Sequence, residues 1–167
     1  SLMGTGKILH VVAFNIPYPP DYGGVIDVYY KLKALSDSGI GIILHTYTYG
    51  RKKSSELEKL CKQVHYYTRS SGLKYFFSSL PYIVSTRSSA RLTENLLKDD
   101  HPVLFEGLHS TYSMEACNHA GKLTIVRTHN IEHRYYHMLA RSDRNIFRKI
   151  YLRSEANKLK KYEAVLS

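Results

Sequence analysis

Residues 7–49 constrain the fold more than any other stretch. Lys7-Ile8-Leu9-His10-Val11-Val12-Ala13-Phe14 is a nearly continuous apolar run, which is how a strand covered on both faces of a parallel sheet reads. A Pro-bounded loop through Pro17, Pro19 and Pro20 then releases at Gly23-Gly24 into a segment with Val25, Val28, Tyr29, Leu32 and Leu35 at helical spacing. Ser38-Gly39 supplies its stop, and Ile40–Tyr49 follows as a second strand ended by Gly50 and the basic Arg51-Lys52-Lys53. A strand–loop–helix–strand unit of this kind needs a parallel, right-handed crossover.

The remaining chain continues the alternation. The pattern predicts a short helix over Ser55–Cys61, a strand over Val64–Thr68, a helix over Ser89–Lys98, a strand over Val103–Glu106, a helix over Thr111–Ala120 and a strand over Leu123–Thr128. Between them, the aromatic stretch from Leu73 to Tyr82 reads as a helix or lid-like excursion broken at Pro81. A long basic helix is expected over Asn145–Glu163, with Ala164-Val165-Leu166-Ser167 starting another strand. The fold class that follows is α/β: a Rossmann-like, doubly wound, mainly parallel sheet with helices on both faces, in one domain over residues 1–167.

Composition excludes several classes. Hydrophobic residues make up 43% and charged residues 23%, ordinary for a folded domain, and no apolar run approaches the ~20 residues of a membrane-spanning helix. The opening residues carry no secretion signal, and Cys61 and Cys117 lie far apart without metal spacing, so both read as reduced thiols of a cytoplasmic protein. Lys and Arg number 24 against 14 acidic residues, a net charge of +10 that favours anionic neighbours.

Ligands of doubly wound sheets bind at the carboxyl ends of the strands, and three segments deliver polar groups there. Tyr22, Gly23 and Gly24 follow the first strand. A glycine pair opening a helix exposes backbone N–H groups to an anion, but the same pair also suits a plain tight turn. It is neither a G-x-G-x-x-G fingerprint nor a phosphate loop with Lys, and no acidic residue ends the second strand, which disfavours NAD. Glu106 and His109 end the fourth strand: Glu106 is a carboxylate at a crevice rim, suited to base chemistry or to an ion pair with Arg127. Arg127-Thr128-His129-Asn130-Ile131-Glu132-His133 ends the fifth. His129 there serves a sugar hydroxyl or a proton transfer, or else His129 and Asn130 merely cap the next helix. His129 and His133 stand at i, i+4, but with no third ligand no metal is expected.

Taken in order, Pro19-Pro20-Asp21-Tyr22-Gly23-Gly24, Phe105-Glu106-Gly107 and Arg127-Thr128-His129-Asn130-Ile131-Glu132 resemble the N-terminal domain of retaining family 4 glycosyltransferases with the GT-B fold, over essentially the whole chain. The resemblance implies the acceptor-side half of a sugar transferase, with a C-terminal nucleotide-sugar-binding domain outside these residues. Gly23 and Gly24 would lie over the donor diphosphate and transferred sugar, and His129 would contact that sugar as the catalytic position. Tyr22, Glu106, His109, Arg127 and Asn130 would line the acceptor side. Implied partners are a nucleotide-sugar donor, a glycan or lipid-linked acceptor and an anionic membrane surface, with no metal, no other cofactor and no nucleic acid. This half alone would turn over little, because the family's basic pair on the donor phosphates and its spaced glutamates belong to the other domain. Two alternatives stay open: a sugar-nucleotide 2-epimerase of the same architecture, and a basic nucleic-acid-binding module, which the scatter of the basic residues disfavours.

Overall fold

A computed structural model describes residues 6–128 and 132–166. The described residues form a five-stranded sheet in the order β3-β2-β1-β4-β5, with every neighbouring pair parallel. The strands are β1 (Ile8–Ala13), β2 (Gly41–Thr48), β3 (Gln63–Thr68), β4 (Val103–Glu106) and β5 (Thr124–Arg127). The helices are α1 (Gly23–Asp37), α2 (Ser55–Leu60), α3 (Tyr82–Ser85), α4 (Ala90–Leu96), α5 (Met114–His119), α6 (Glu132–Ser142) and α7 (Ile146–Leu166).

Side-chain alternation along the strands divides the core between the two faces of the sheet. Val11, Ala13, Ile42 and Leu44 turn toward Val28 and Leu32 of α1 and Leu57 of α2. Val12, Tyr47, Tyr67, Val103 and Phe105 turn the other way and pack on Leu92 and Leu96 of α4 and Cys117 of α5. Both cysteines are free and buried. The doubly wound, Rossmann-like class expected from the sequence is the observed one. Strand order reverses between β1 and β4, so the switch-point crevice of such a sheet lies beyond Ala13 and Glu106.

Several expected elements change form. Ala164–Leu166 continue α7 as helix rather than opening a strand; a short apolar run fits either, and α7 ties back to the body through Tyr162. The helix expected from Thr111 begins only at Met114, after a 3-10 turn over Leu108–Ser110. Hydroxyls take backbone carbonyls there, Ser110 donating to Glu106 O at 2.6 Å and Thr111 to Leu108 O at 2.8 Å, and this competes with helix. The aromatic excursion is a 3-10 turn over Leu73–Tyr75 followed by α3, with Pro81 at the N-cap. Phe76 stacks on Tyr82 with ring centroids 4.5 Å apart beneath Tyr151 of α7, whereas Leu73 and Phe77 face solvent.

Candidate functional site at the carboxyl ends of the strands

α1 begins at Gly23 without a side-chain cap from Tyr22 and without an acidic residue in its first turn. The first backbone bond of its N-terminus runs from Ile26 N–H to Tyr22 O at 3.1 Å. The N–H groups of Gly23, Gly24 and Val25 therefore have no acceptor among the described residues, and the helix dipole adds positive potential at that point. The two glycines differ in what they permit. A Cβ on Gly24 would stand 2.7 Å from the tip of the Phe14 ring, whereas one on Gly23 meets nothing within 4 Å. Gly24 is thus fixed by packing and Gly23 keeps an approach open.

Phe14 is the hub of the crevice. Its ring lies between Gly24 and the imidazole of His109, with ring centroids 5.2 Å apart from the latter. Beside it, Asn15 accepts from the N–H groups of Ile16 and Tyr49 and donates to Tyr49 O at 3.0 Å and to the Tyr22 hydroxyl at 3.3 Å. One amide thereby joins the loops after β1 and β2 and positions Tyr22, over whose ring the Arg51 guanidinium lies at 5.3 Å. Arg51 is held in turn by Asp21 at 2.8 Å.

Glu106 departs from the expected arrangement. It is wholly buried, 0% exposed, rather than standing at an open rim, and its ion pair is with Lys31 of α1 instead of Arg127. Arg127, its cross-strand neighbour on β5, reaches Asp27 of α1 at 3.3 Å, and Lys31 also approaches Asp27 at 3.6 Å. Their places at the ends of two strands suggested the Glu106–Arg127 pair; the long Lys31 side chain, one turn beyond Asp27, takes the carboxylate instead. Tyr22, Gly23, Gly24, Glu106, His109 and Arg127 are all gathered around the first half of α1. His129 and Asn130 lie outside the described residues.

Beyond them, Glu132 is buried at the start of α6, and burial followed by the charge of Glu163 pushes its carboxyl up from the usual range. The His133 ring is held by Glu163 of α7 at 2.6 Å. Among the described residues no three His, Cys, Asp or Glu side chains are grouped to hold a metal ion.

Two arginines of this edge escaped the sequence reading. Arg87, after α3, is 5% exposed and donates from Nε to Phe14 O at 3.0 Å and from Nη1 to Ile83 O at 2.8 Å. Burial, followed by the charge of Arg69, pushes its guanidinium down to about 10. Arg69 follows β3 and lies 4.0 Å over the ring of Tyr49. Applying the strand-end rule to β3 would have found Arg69, whereas nothing in Thr86-Arg87-Ser88 marks Arg87.

The fold and this edge define an α/β protein with a Rossmann-like parallel sheet and a polar crevice at its switch point. The chain is similar to a Klebsiella pneumoniae protein named "Uncharacterized 44.6 kDa protein in cps region", with 32% identity over 148 residues. The match covers 84% of this chain, which spans only 38% of the relative's length. No family model matches the chain, and no solved structure matches it.

Proposed function

We propose that this chain is the N-terminal, acceptor-side domain of a retaining GT-B glycosyltransferase that builds surface polysaccharide. The observation that carries the reading is the open first turn of α1 at the switch point, where Gly23 leaves room for a ligand, with His109 against the Phe14 ring and Arg127 on Asp27 of the same helix. The relative adds context, because a cps region is read as one for capsular polysaccharide, and its greater length leaves room for a second domain.

In this reading the N–H groups at Gly23 and Gly24 face the donor diphosphate, where charge develops as the nucleotide leaves. His129 contacts the transferred sugar, and Tyr22, His109, Arg127 and Asn130 border the acceptor. Glu106 acts through Lys31 and Asp27 by fixing α1 against β4 and β5. The reaction needs no metal held by this half, and retention proceeds through an oxocarbenium-like transition state.

Among the described residues no helix is long and apolar enough to cross a membrane. A lipid-linked acceptor is reached instead from the membrane surface. The start of α7 supports this: Ile146, Phe147 and Ile150 are exposed beside Arg144, Arg148 and Lys149.

The test is an assay of the full-length protein with a panel of nucleotide-sugars and lipid-linked acceptors. Acceptor-dependent transfer with the anomeric configuration kept is the expected result. Epimerisation or hydrolysis of the nucleotide-sugar, indifferent to acceptor, would overturn the reading.

A further inference from the structure

Burying a guanidinium without a counter-charge is costly, and folds normally place a carboxylate beside it. Arg87 has none: no Asp or Glu among the described residues lies within ion-pair distance, and its two bonds go to neutral carbonyls. Its third nitrogen, Nη2, donates to no described group and is not sealed from solvent. Arg69 is more open still to a partner. Its side chain donates to no described group, its Nε is buried without an acceptor, and its guanidinium lies over aromatic faces, Tyr49 at 4.0 Å and Tyr82 at 5.6 Å. The hydrogen bond from Ser70 N–H to Thr86 O, at 2.9 Å, ties the chain beside one arginine to the chain beside the other, and the charge of Arg69 bears on the Arg87 guanidinium. A buried guanidinium with a second one beside it and no described carboxylate within reach forms an arrangement that an anion would relieve.

We infer that Arg69 and Arg87 form a binding site for a phosphate group of the substrate, placed at the carboxyl ends of β1 and β3 beside Tyr22 and Tyr49. A phosphate matches two neighbouring cations in charge and offers oxygens to both planar forks at once, whereas a carboxylate supplies one charge. The site adjoins the crevice at Phe14 and Tyr22, and because the sugar-transfer reading puts Tyr22 on the acceptor side, the phosphate it receives is one carried by the acceptor. The inference rests on the sugar-transfer reading for that assignment, but the anion site itself does not.

The experiment follows arginine Nε–H and backbone amide signals in 1H–15N spectra of the chain during titration with inorganic pyrophosphate. Glucuronate, sodium chloride at matched ionic strength and vesicles containing phosphatidic acid form separate arms. Saturable shifts of the Arg69 and Arg87 signals by pyrophosphate are expected, at least about tenfold weaker in Arg69→Gln and unchanged in a Lys160→Gln/Lys161→Gln control. Because Arg87 is buried, Arg87→Lys serves as the second variant, with pyrophosphate expected to raise its Tm less than it raises that of the unaltered chain. Shifts that only track ionic strength, or that persist in Arg69→Gln, would overturn the site. Saturation by glucuronate alone would overturn its phosphate character. Shifts with vesicles and none with pyrophosphate would overturn the soluble phosphate in favour of a lipid headgroup. Transfer by the full-length protein with Arg69→Gln still binding pyrophosphate would sink this inference alone; pyrophosphate binding without any transfer would sink only the reaction.

Discussion

His45 and His10 share a 2.8 Å hydrogen bond in the middle of the sheet, and its direction is set by the groups at either end of a longer chain. Asn95 Nδ2 only donates, and it reaches the Tyr67 hydroxyl at 2.9 Å. That hydroxyl donates to His45 Nδ1 at 2.8 Å, His45 Nε2 donates to His10 Nδ1, and His10 Nε2 donates to the Asp99 carboxylate. Every contact is satisfied when both imidazoles are neutral, and one extra proton breaks the sequence.

Acid should therefore weaken the fold earlier than its surface charges require. Burial holds His10 below its ordinary value of 6.5, and burial with the charge of His10 pushes His45 down to about 2. The unfolded chain takes up protons below pH 6.5 that the folded chain refuses, so this stability is present above 6.5 and falls with pH below it. The slope is about 1.4 kcal/mol per pH unit for each histidine that stays neutral. Burial tends to raise the Asp99 carboxyl, but hydrogen bonds from Lys122 and His10 outweigh it and hold Asp99 at about 2, which adds a loss of the same sign below about pH 4. Urea midpoints should be level from pH 8 to 7 and drop by pH 5. A His10→Leu/His45→Leu variant should show a flatter profile across that interval.

Gly24 and Gly23 should separate stability from ligand access. Gly24→Ala drives a methyl group into the Phe14 ring and should cost about 1–3 kcal/mol, read as a lowered Tm. Gly23→Ala has open space and should stay within ~0.5 kcal/mol of the unaltered chain. If a diphosphate approaches this turn, Gly23→Ala lowers transfer by the full-length protein while leaving its melting unchanged.

Glu106 depends on Lys31. Replacing Lys31 with Met removes the cation paired with a fully buried carboxylate and should cost about 3–5 kcal/mol. Adding Glu106→Gln removes the buried charge that Lys31 balances, so the double variant should recover part of that loss. A double-mutant cycle in urea checks this, and simple additivity would show that the pair contributes little.

The parallel sheet was legible because apolar runs and turn residues are local signals. β1 lies within the expected run and α1 places Val25, Val28 and Leu32 on its buried face. The helix α6 entered only as an alternative, the helix that His129 and Asn130 would cap, and without bounds, because its sequence, Glu132–Ser142, is mostly polar and turns little into the core. Strand-end residues were legible as a set, but their partners were not. Their places at two strand ends pointed Glu106 at Arg127, and only the packing of α1 on the sheet brings Lys31 there. The histidine chain was hidden for the same reason: Asp99, His10, His45, Tyr67 and Asn95 come from separate elements, and within β1 and β2 the two histidines read simply as strand members.

The exposed start of α7 carries the last expectation. Phe147 is 80% exposed, with Ile146 and Ile150 beside it and Arg144, Arg148 and Lys149 around them. Arg148 is held by Asp143 at 3.1 Å, which leaves Arg144 and Lys149 without an ion pair among the described residues. Apolar side chains at the acyl boundary with cations among the headgroups should bind anionic vesicles, at about 1 kcal/mol for each cation near the surface. Replacing Phe147 and Ile150 with Ser should lower co-sedimentation with vesicles rich in phosphatidylglycerol several-fold. Tm should hold, since neither side chain is in the core. Binding indifferent to anionic lipid content, or unchanged in the double variant, would show that this surface does not meet a membrane.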